Sequence, residues 1–274
     1  MTTRLRRPAV AGIFYPDHPP QLLRTVQGLL GGADRAATVA PAAMAPHAGY
    51  VYSGRTAGRV LGALDLPRRV ICIGPNHTGE GRAREGGSVF AVGVLRTPIG
   101  DVPVDETLAA DLLARCPILE DDPDAHRREH AVEVMLPFLL ARRPDVTVVP
   151  VVLAFADWPR CRRLGEALAE TVRAAGEPVL LLISSDMNHF EPAAVGMPKD
   201  RLALDEMERL DGEALLEVTR RHHVSMCGRG PAAAILHAVR LLGGVRSTVV
   251  DYSHSGMVSG DNDAVVGYAG VIAA

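Results

Sequence analysis

The chain lacks the spacings that mark the commoner small-molecule and redox sites. Its four cysteines, Cys72, Cys116, Cys161 and Cys227, lie far apart with no C-x-x-C pair, which excludes a zinc knuckle or a redox dithiol. Free thiols of a reducing, cytoplasmic protein fit this spacing. No apolar stretch approaches the roughly 20 residues that span a bilayer, so a membrane role is not expected. Neither sign of charge dominates: 29 Lys and Arg face 32 acidic residues, a net charge of −3 that gives a polyanion such as nucleic acid no global attraction. Gly74 to Gly81 lacks the G-K-[ST] ending of a phosphate loop, and no G-x-G-x-x-G follows a strand pattern. Ser184-Ser185 lacks the G-x-S-x-G elbow of an α/β hydrolase. There is no fixed-period repeat and no low-complexity tract. Arg4, Arg6 and Arg7 before the apolar run Ala9 to Tyr15 imitate a secretory signal, but the run is short, has no small-x-small site and ends at Pro16.

What is present is strand-helix alternation through 274 residues, 47% of them hydrophobic, enough to fill one large α/β core. Pro19 and Pro20 open an amphipathic helix that Gly31-Gly32 stops. A strand is expected over Val39 to Met44, a helix from a Ser53 cap to Leu64, and a fully buried strand over Arg69 to Ile73. Ser88 to Val94 and the region of Val102 flank a turn at Pro98 to Asp101. Asp105 caps a helix to Arg115, and His130 to Arg143 has helical periodicity that Pro137 would kink. Strand Val146 to Leu153, helix Trp158 to Ala175 capped by Asp157, and strand Val179 to Ile183 repeat the alternation. Helices over Lys199 to Leu210, Asp211 to His222 and Pro231 to Leu242 precede strands Thr248 to Tyr252 and Ala264 to Ile272. The expected architecture is a single α/β domain over residues 1–274, with a central, mostly parallel or mixed sheet flanked by helices.

Three histidines follow buried-strand patterns: His47 in Ala45-Pro46-His47-Ala48-Gly49-Tyr50, His77 in Gly74-Pro75-Asn76-His77, and His189 in Ser184-Ser185-Asp186-Met187-Asn188-His189. Strand carboxyl ends in an open α/β sheet converge on one crevice, so these loops deliver imidazoles to a common point. Taken singly, each histidine reads more readily as a hydrogen-bonded structural residue or a surface residue; three at equivalent strand ends mark a candidate metal or catalytic site. Cys227, in Met226-Cys227-Gly228-Arg229 ahead of a helix, is a candidate soft ligand whose thiolate the helix terminus and Arg229 would favour. Asp186 could orient an imidazole or ligate directly, or simply hold a turn. Glu129, His130 and Glu133 start a helix from which they could reach the cleft, with a solvated acidic helix start the preferred reading. His222, His223 and His237 read as surface or core helix residues, His18 and His126 as loop residues, and His254 as a further strand-end candidate.

These residues resemble the Memo family, whose prokaryotic members are called AmmeMemoRadiSam system protein B. The matching segments run from Arg7-Pro8-Ala9-Val10-Ala11-Gly12-Ile13-Phe14-Tyr15-Pro16 through Pro46 to Tyr50, Gly74 to His77, Glu129-His130-Ala131-Val132-Glu133, and Ser184 to Asp186 with His189. They end at Met226 to Arg229, so the resemblance spans nearly the whole chain, and its N-terminal part replaces the signal-peptide reading. The resemblance implies a fold similar to the class III extradiol, non-haem iron dioxygenases, in which two histidines and a glutamate hold Fe(II) and a further histidine moves protons. By it His47 and His77 fall on the histidine ligands, His189 on the acid/base histidine, and Cys227 on the glutamate position. A thiolate there shifts preference toward copper, zinc or a differently tuned iron.

The resulting expectation is a metal-binding redox or oxygenase-like protein. Metal donors are drawn from His47, His77, His189 and Cys227, and His189 and Asp186 serve catalysis. The metal is iron or copper, with zinc possible, and the substrate is a small molecule or a modified side chain. The family name implies a functional link to a radical-SAM protein. A peptide-binding adaptor using the same cleft and a zinc-dependent hydrolase are the alternatives.

Overall fold

Residues 4–31, 38–82 and 86–274 are described in the computed structural model. In chain order the strands are β1 (Leu5–Arg6), β2 (Ala42–Ala45), β3 (Arg69–Pro75), β4 (Gly87–Val89), β5 (Val94–Thr97) and β6 (Gly100–Pro103). They continue with β7 (Leu119–Asp121), β8 (Thr147–Leu153), β9 (Val179–Ser184), β10 (His189–Glu191), β11 (Ser247–His254) and β12 (Val265–Ala273). The helices are α1 (Pro19–Leu30), α2 (Tyr50–Ala63), α3 (Glu106–Arg115), α4 (Leu136–Arg142), α5 (Trp158–Ala174), α6 (Ala193–Glu208), α7 (Gly212–Arg221), α8 (Arg229–Leu241) and α9 (Gly256–Ser259).

Every residue of β2, β3 and β9 is buried, the signature of strands covered on both faces. They pair in parallel, β9 between β2 and β3, and β8 continues the parallel block beyond β3. The main sheet runs β10-β12-β2-β9-β3-β8-β4-β7, with β11 paired to β12. Pairing is antiparallel where β12 meets β2, β10 and β11 and where β4 meets β8, so the sheet is mixed, as expected. A small second sheet, β1-β5-β6, carries the N-terminal segment. Helix α8 packs on β2, β3 and β9 with α5 and α7 behind it, while α2 packs on β2 and β12 with α1 and α4 against it. No helix among the described residues is long and apolar enough to cross a membrane.

Local chemistry accounts for most boundaries. Asp105 caps α3 by accepting Leu108 N–H at 3.0 Å, and Asp157 caps α5 by accepting Arg160 N–H at 3.2 Å. Gly31 ends α1 with φ 73°, a conformation costly for other residues; the second glycine of that stop, Gly32, lies outside the described residues.

Several expectations needed correction. Helix α2 starts at Tyr50, not at a Ser53 cap: Ser53 sits in the first turn and its hydroxyl donates to Ala48 O. Strand β2 starts at Ala42 rather than Val39, and the Ser88 to Val94 stretch divides into β4 and β5. Helix α6 begins six residues before Lys199, with Pro198 inside it. The stretch from His130 is not one kinked helix. Residues 127–132 are irregular, Glu133–Met135 forms a single 3₁₀ turn, and α4 begins at Leu136. Pro137 then occupies a first-turn position, where its missing N–H costs nothing.

Candidate metal centre

The parallel block places three loops side by side. His47 comes two residues after β2, His77 two residues after β3, and Asp186 two residues after the strand between them, β9. Two glycines make this crowding possible: a Cβ on Gly74 would lie 2.6 Å from Ala131 Cβ, and one on Gly228 would lie 2.5 Å from Ser185 Cβ.

Hydrogen bonding decides which nitrogen of each imidazole is free. The buried Ser184 hydroxyl donates to Ala131 O at 2.5 Å, so toward His47 Nδ1, 2.8 Å away, it can only accept. His47 therefore carries its proton on Nδ1 and a lone pair on Nε2. His77 Nδ1 lies 2.8 Å from Glu129 Oε1. Glu129 also takes the N–H groups of His77, His130 and Ala131. Burial pushes its pKa upward, but the bond from His77, its charge and the Ala131 amide outweigh that and hold Glu129 below the usual carboxylate range. Glu129 is thus an ionised acceptor for the N–H on His77 Nδ1, which leaves Nε2 as the ring nitrogen without a protein partner. A carboxylate behind a histidine in this way fixes the ring and raises its basicity toward a metal.

His47, His77 and His130 each offer a ring nitrogen such that the three atoms lie within 4.8 Å of one another. The His130 ring stacks on His77 with centroids 4.5 Å apart and an interplanar angle of 12°, and His47 stands edge-on to both. Burial, then the neighbouring imidazoles of His77, His130 and His189, holds His47 well below the usual imidazole range. Burial likewise lowers His130 and His189. Neutral imidazoles with preset lone pairs are what a metal requires of its nitrogen donors.

Cys227 Sγ lies 3.4 Å from His47 Nε2 and accepts Asp186 N–H at 3.2 Å. The thiolate anticipated from the helix start and Arg229 is not what the surroundings favour in the metal-free protein. Burial, then the Asp186 charge, pushes the Cys227 thiol up to about 12, because desolvation exceeds what the amides of Asp186 and Gly228 return. Cys72, Cys116 and Cys161 are free, fully buried thiols, as expected of small core hydrophobes.

His189 stands apart from the cluster of three, opening β10. Its amide donates to Ser225 Oγ at 2.8 Å and its Nδ1–H to Ser225 O at 3.0 Å, which leaves Nε2 free. Asp186 holds main chain rather than a ring. Its Oδ1 accepts the N–H groups of His47 at 2.8 Å and Ala48 at 3.3 Å, and burial raises its carboxyl to about 7. The ring-orienting role falls to Ser184 and Glu129. His254 is buried at the end of β11, outside the cluster of three.

Glu129 and Glu133 are not a solvated helix start, being 3% and 2% exposed. Arg6 is the reason. Its guanidinium donates to His126 O at 3.0 Å, to Glu129 O at 2.6 Å and to the Glu133 carboxylate. Glu133 also accepts Ala9 N–H, Val10 N–H and the Tyr15 hydroxyl. The N-terminal segment thereby locks the irregular turn that carries Glu129 and His130 against the strand ends. No local pattern signals this contact across more than a hundred residues.

The match to known proteins covers the same elements. The family model described as "Memo-like protein" matches residues 6–272. A MEMO1 family protein of Methanopyrus kandleri is 37% identical over 280 residues, covering 97% of this chain and 98% of its own length. One from Aquifex aeolicus is 38% identical over 271 residues, covering 98% and 99%. The crystal structure of an uncharacterised Escherichia coli K12 protein superposes with a TM-score of 0.51 at 16% identity, covering 85% of this chain and 99% of the other, a likeness of fold. The chain belongs to the Memo-like protein family.

Proposed function

We propose that the protein is a metal-dependent, oxygenase-like oxidoreductase that holds iron or copper between His47 and His77 with Cys227 as the third donor. The observation that carries this reading is the pair of imidazoles, His47 buried and His77 exposed, whose Nδ1 atoms are engaged by Ser184 and Glu129, leaving both Nε2 atoms free, with Cys227 Sγ 3.4 Å from that of His47. The donor set fits a first-row transition metal: neutral imidazoles suit iron, copper and zinc, and a thiolate favours the softer members. The bound metal supplies redox chemistry toward dioxygen or a small-molecule or side-chain substrate.

The chain's own residues do the rest. His130 stacks on His77 and closes the wall of the cleft. His189, with Nδ1–H anchored on Ser225 O, presents Nε2 as the group that takes a proton from substrate or returns one. Asp186 keeps the His47 loop in register by gripping two consecutive amides.

Anaerobic titration with Fe(II) and Cu(II), followed by dioxygen-uptake measurements, tests the reading. Tight binding of either metal, a thiolate-to-copper absorption band that Cys227→Ser abolishes, and dioxygen uptake by the loaded protein are the expected results. Retention of zinc with ester or amide hydrolysis would instead make the protein a hydrolase. A tight peptide complex indifferent to metal would make it an adaptor.

A further inference from the structure

The anchors of His47 and His77, Ser184 and Glu129, are buried; the anchor of His189 is not. Ser225 takes both the amide and the ring Nδ1–H of His189, yet it is exposed and lies in a stretch, residues 224–226, without regular secondary structure. A loop serine in water does not by itself keep an imidazole in one orientation, because such segments move more than the elements they join.

Asn188 supplies what Ser225 lacks. It is 3% exposed, and its Oδ1 accepts Ser225 N–H at 2.9 Å and the Ser225 hydroxyl at 3.1 Å. With that proton engaged, Ser225 Oγ acts as acceptor for His189 N–H. Two neighbouring residues thus grip Ser225 with two hydrogen bonds each. The orientation of the Asn188 amide is fixed by the same pairing: Oδ1 meets two donors, and Nδ2 donates to Glu191 Oε2 at 2.6 Å.

The main chain of Asn188 is held as firmly. Its N–H donates to Asp200 Oδ1 at 2.8 Å, and its carbonyl accepts Gly267 N–H at 2.9 Å. Asp200 is 1% exposed, and its other oxygen accepts the Tyr252 hydroxyl at 2.6 Å. Beyond His189, Glu191 is tied to Lys199 Nζ at 2.6 Å. Between these anchors Phe190 has φ 60°, a left-handed conformation that a bulky L-residue rarely adopts and that persists only where its surroundings over-determine it.

We propose that Asn188 is a positioning residue: through Ser225 it fixes the ring of His189 and keeps its proton on Nδ1, so that Nε2 is the atom presented to the cleft. The inference rests on the reading of His189 as the group that moves protons, and it adds the residue that decides which ring nitrogen does so. A partner behind a histidine sets the tautomer in this way wherever the ring must work from one nitrogen.

The test is two-bond proton–nitrogen NMR of metal-free protein labelled with 15N-histidine, at about pH 8.5, where imidazoles are neutral. His189 is assigned by the signals that vanish in His189→Gln. In wild type it should be a single Nδ1–H tautomer. In Asn188→Ala the Nε2–H form should appear beside it. Lys199→Ala loosens Glu191 but leaves the grip on Ser225, so its His189 pattern should match wild type. The paired change Asn188→Asp with Glu191→Gln exchanges donor and acceptor between the two side chains and keeps an acceptor toward Ser225, so it should restore the single tautomer.

A mixed or Nε2–H tautomer in wild type would overturn the proposal without any variant having to fold. So would a single Nδ1–H form in Asn188→Ala, failure of the paired change to restore it, or an equal disturbance in Lys199→Ala, which would make the effect general loosening. Failure of the proton-moving reading is distinguishable: it appears as full turnover by His189→Gln while the tautomer pattern stands.

Discussion

Replacing Glu129 by Gln alters the charge behind His77 while leaving the shape of the side chain nearly unchanged. Glu129 is 3% exposed and accepts four N–H groups: His77 N at 2.5 Å, His77 Nδ1 at 2.8 Å, His130 N at 2.8 Å and Ala131 N at 2.9 Å. A glutamine oxygen can take the three that converge on Oε1, but its amide NH₂ then meets the His77 N–H donor to donor. One orphaned buried N–H costs about 1–3 kcal/mol, and each remaining bond drops from the charge-assisted to the neutral range, a loss of about 1 kcal/mol. Sparing the desolvation of a carboxylate offsets part of this, leaving a net loss of about 2–4 kcal/mol, or roughly 4–10 °C in melting temperature. With a neutral partner behind it, His77 becomes a poorer donor, and metal affinity should fall about 10–100-fold.

The pH dependence follows from the direction of the Glu129 shift. Its pKa is lower folded than unfolded, so its contribution is complete above the unfolded value near 4.5 and fades as pH falls through the folded value. The stability gap between wild type and Glu129→Gln should therefore be widest near neutrality and shrink below about pH 4. Scanning calorimetry across pH and chelator-competition titrations measure both effects. A melting temperature within a degree of wild type at pH 7, with unchanged metal affinity, would refute the reasoning.

Three further outcomes are expected. Ser184→Ala leaves His47 Nδ1–H and Ala131 O unpartnered, so stability should fall by about 1–3 kcal/mol and metal affinity about tenfold, read by urea unfolding and metal competition. Asp105 is pushed up by burial but held lower overall by Arg69, the Leu108 amide and Thr147, so Asp105→Asn should lose about 3–5 kcal/mol at pH 7. That deficit should narrow as pH falls below about 4; a deficit constant with pH would show that the pair's charge is irrelevant. Cys227, raised to about 12, should alkylate slowly at neutral pH yet ahead of the fully buried Cys72, Cys116 and Cys161, with added metal slowing it further. Equal Cys227 labelling with and without metal, followed by peptide mass spectrometry, would leave His130 as the third donor.

The sheet and the loops that carry His47, His77 and Asp186 were legible because buried parallel strands announce themselves as continuous apolar runs, and the chemistry follows their carboxyl ends. The turn at 127–132 was not. Periodicity around Val134 and Leu136 extends an apparent helix back over His130, and only Arg6, reaching Glu129 O and the Glu133 carboxylate from the N-terminal segment, turns that stretch inward. His130 and Glu129 were therefore misplaced at the surface. The Cys227 thiolate failed for a related reason. A helix start and a neighbouring arginine are visible in sequence, whereas the burial that outweighs them is a property of the assembled loops. Asp186 reads in sequence as orienting an imidazole, ligating directly or holding a turn; its Oδ1 takes the amides of His47 and Ala48, the turn-holding role, a choice among backbone and ring donors that spacing does not encode.

Elemental analysis of protein purified without a metal-binding tag, comparing wild type with His47→Ala and His77→Ala, tests the central claim most directly. Stoichiometric iron or copper is expected in wild type and loss of most of it in both variants, with circular dichroism unchanged because strand-end loops add little to the core. Wild-type protein that takes up neither metal when supplied, or variants that keep the full metal content, would contradict it.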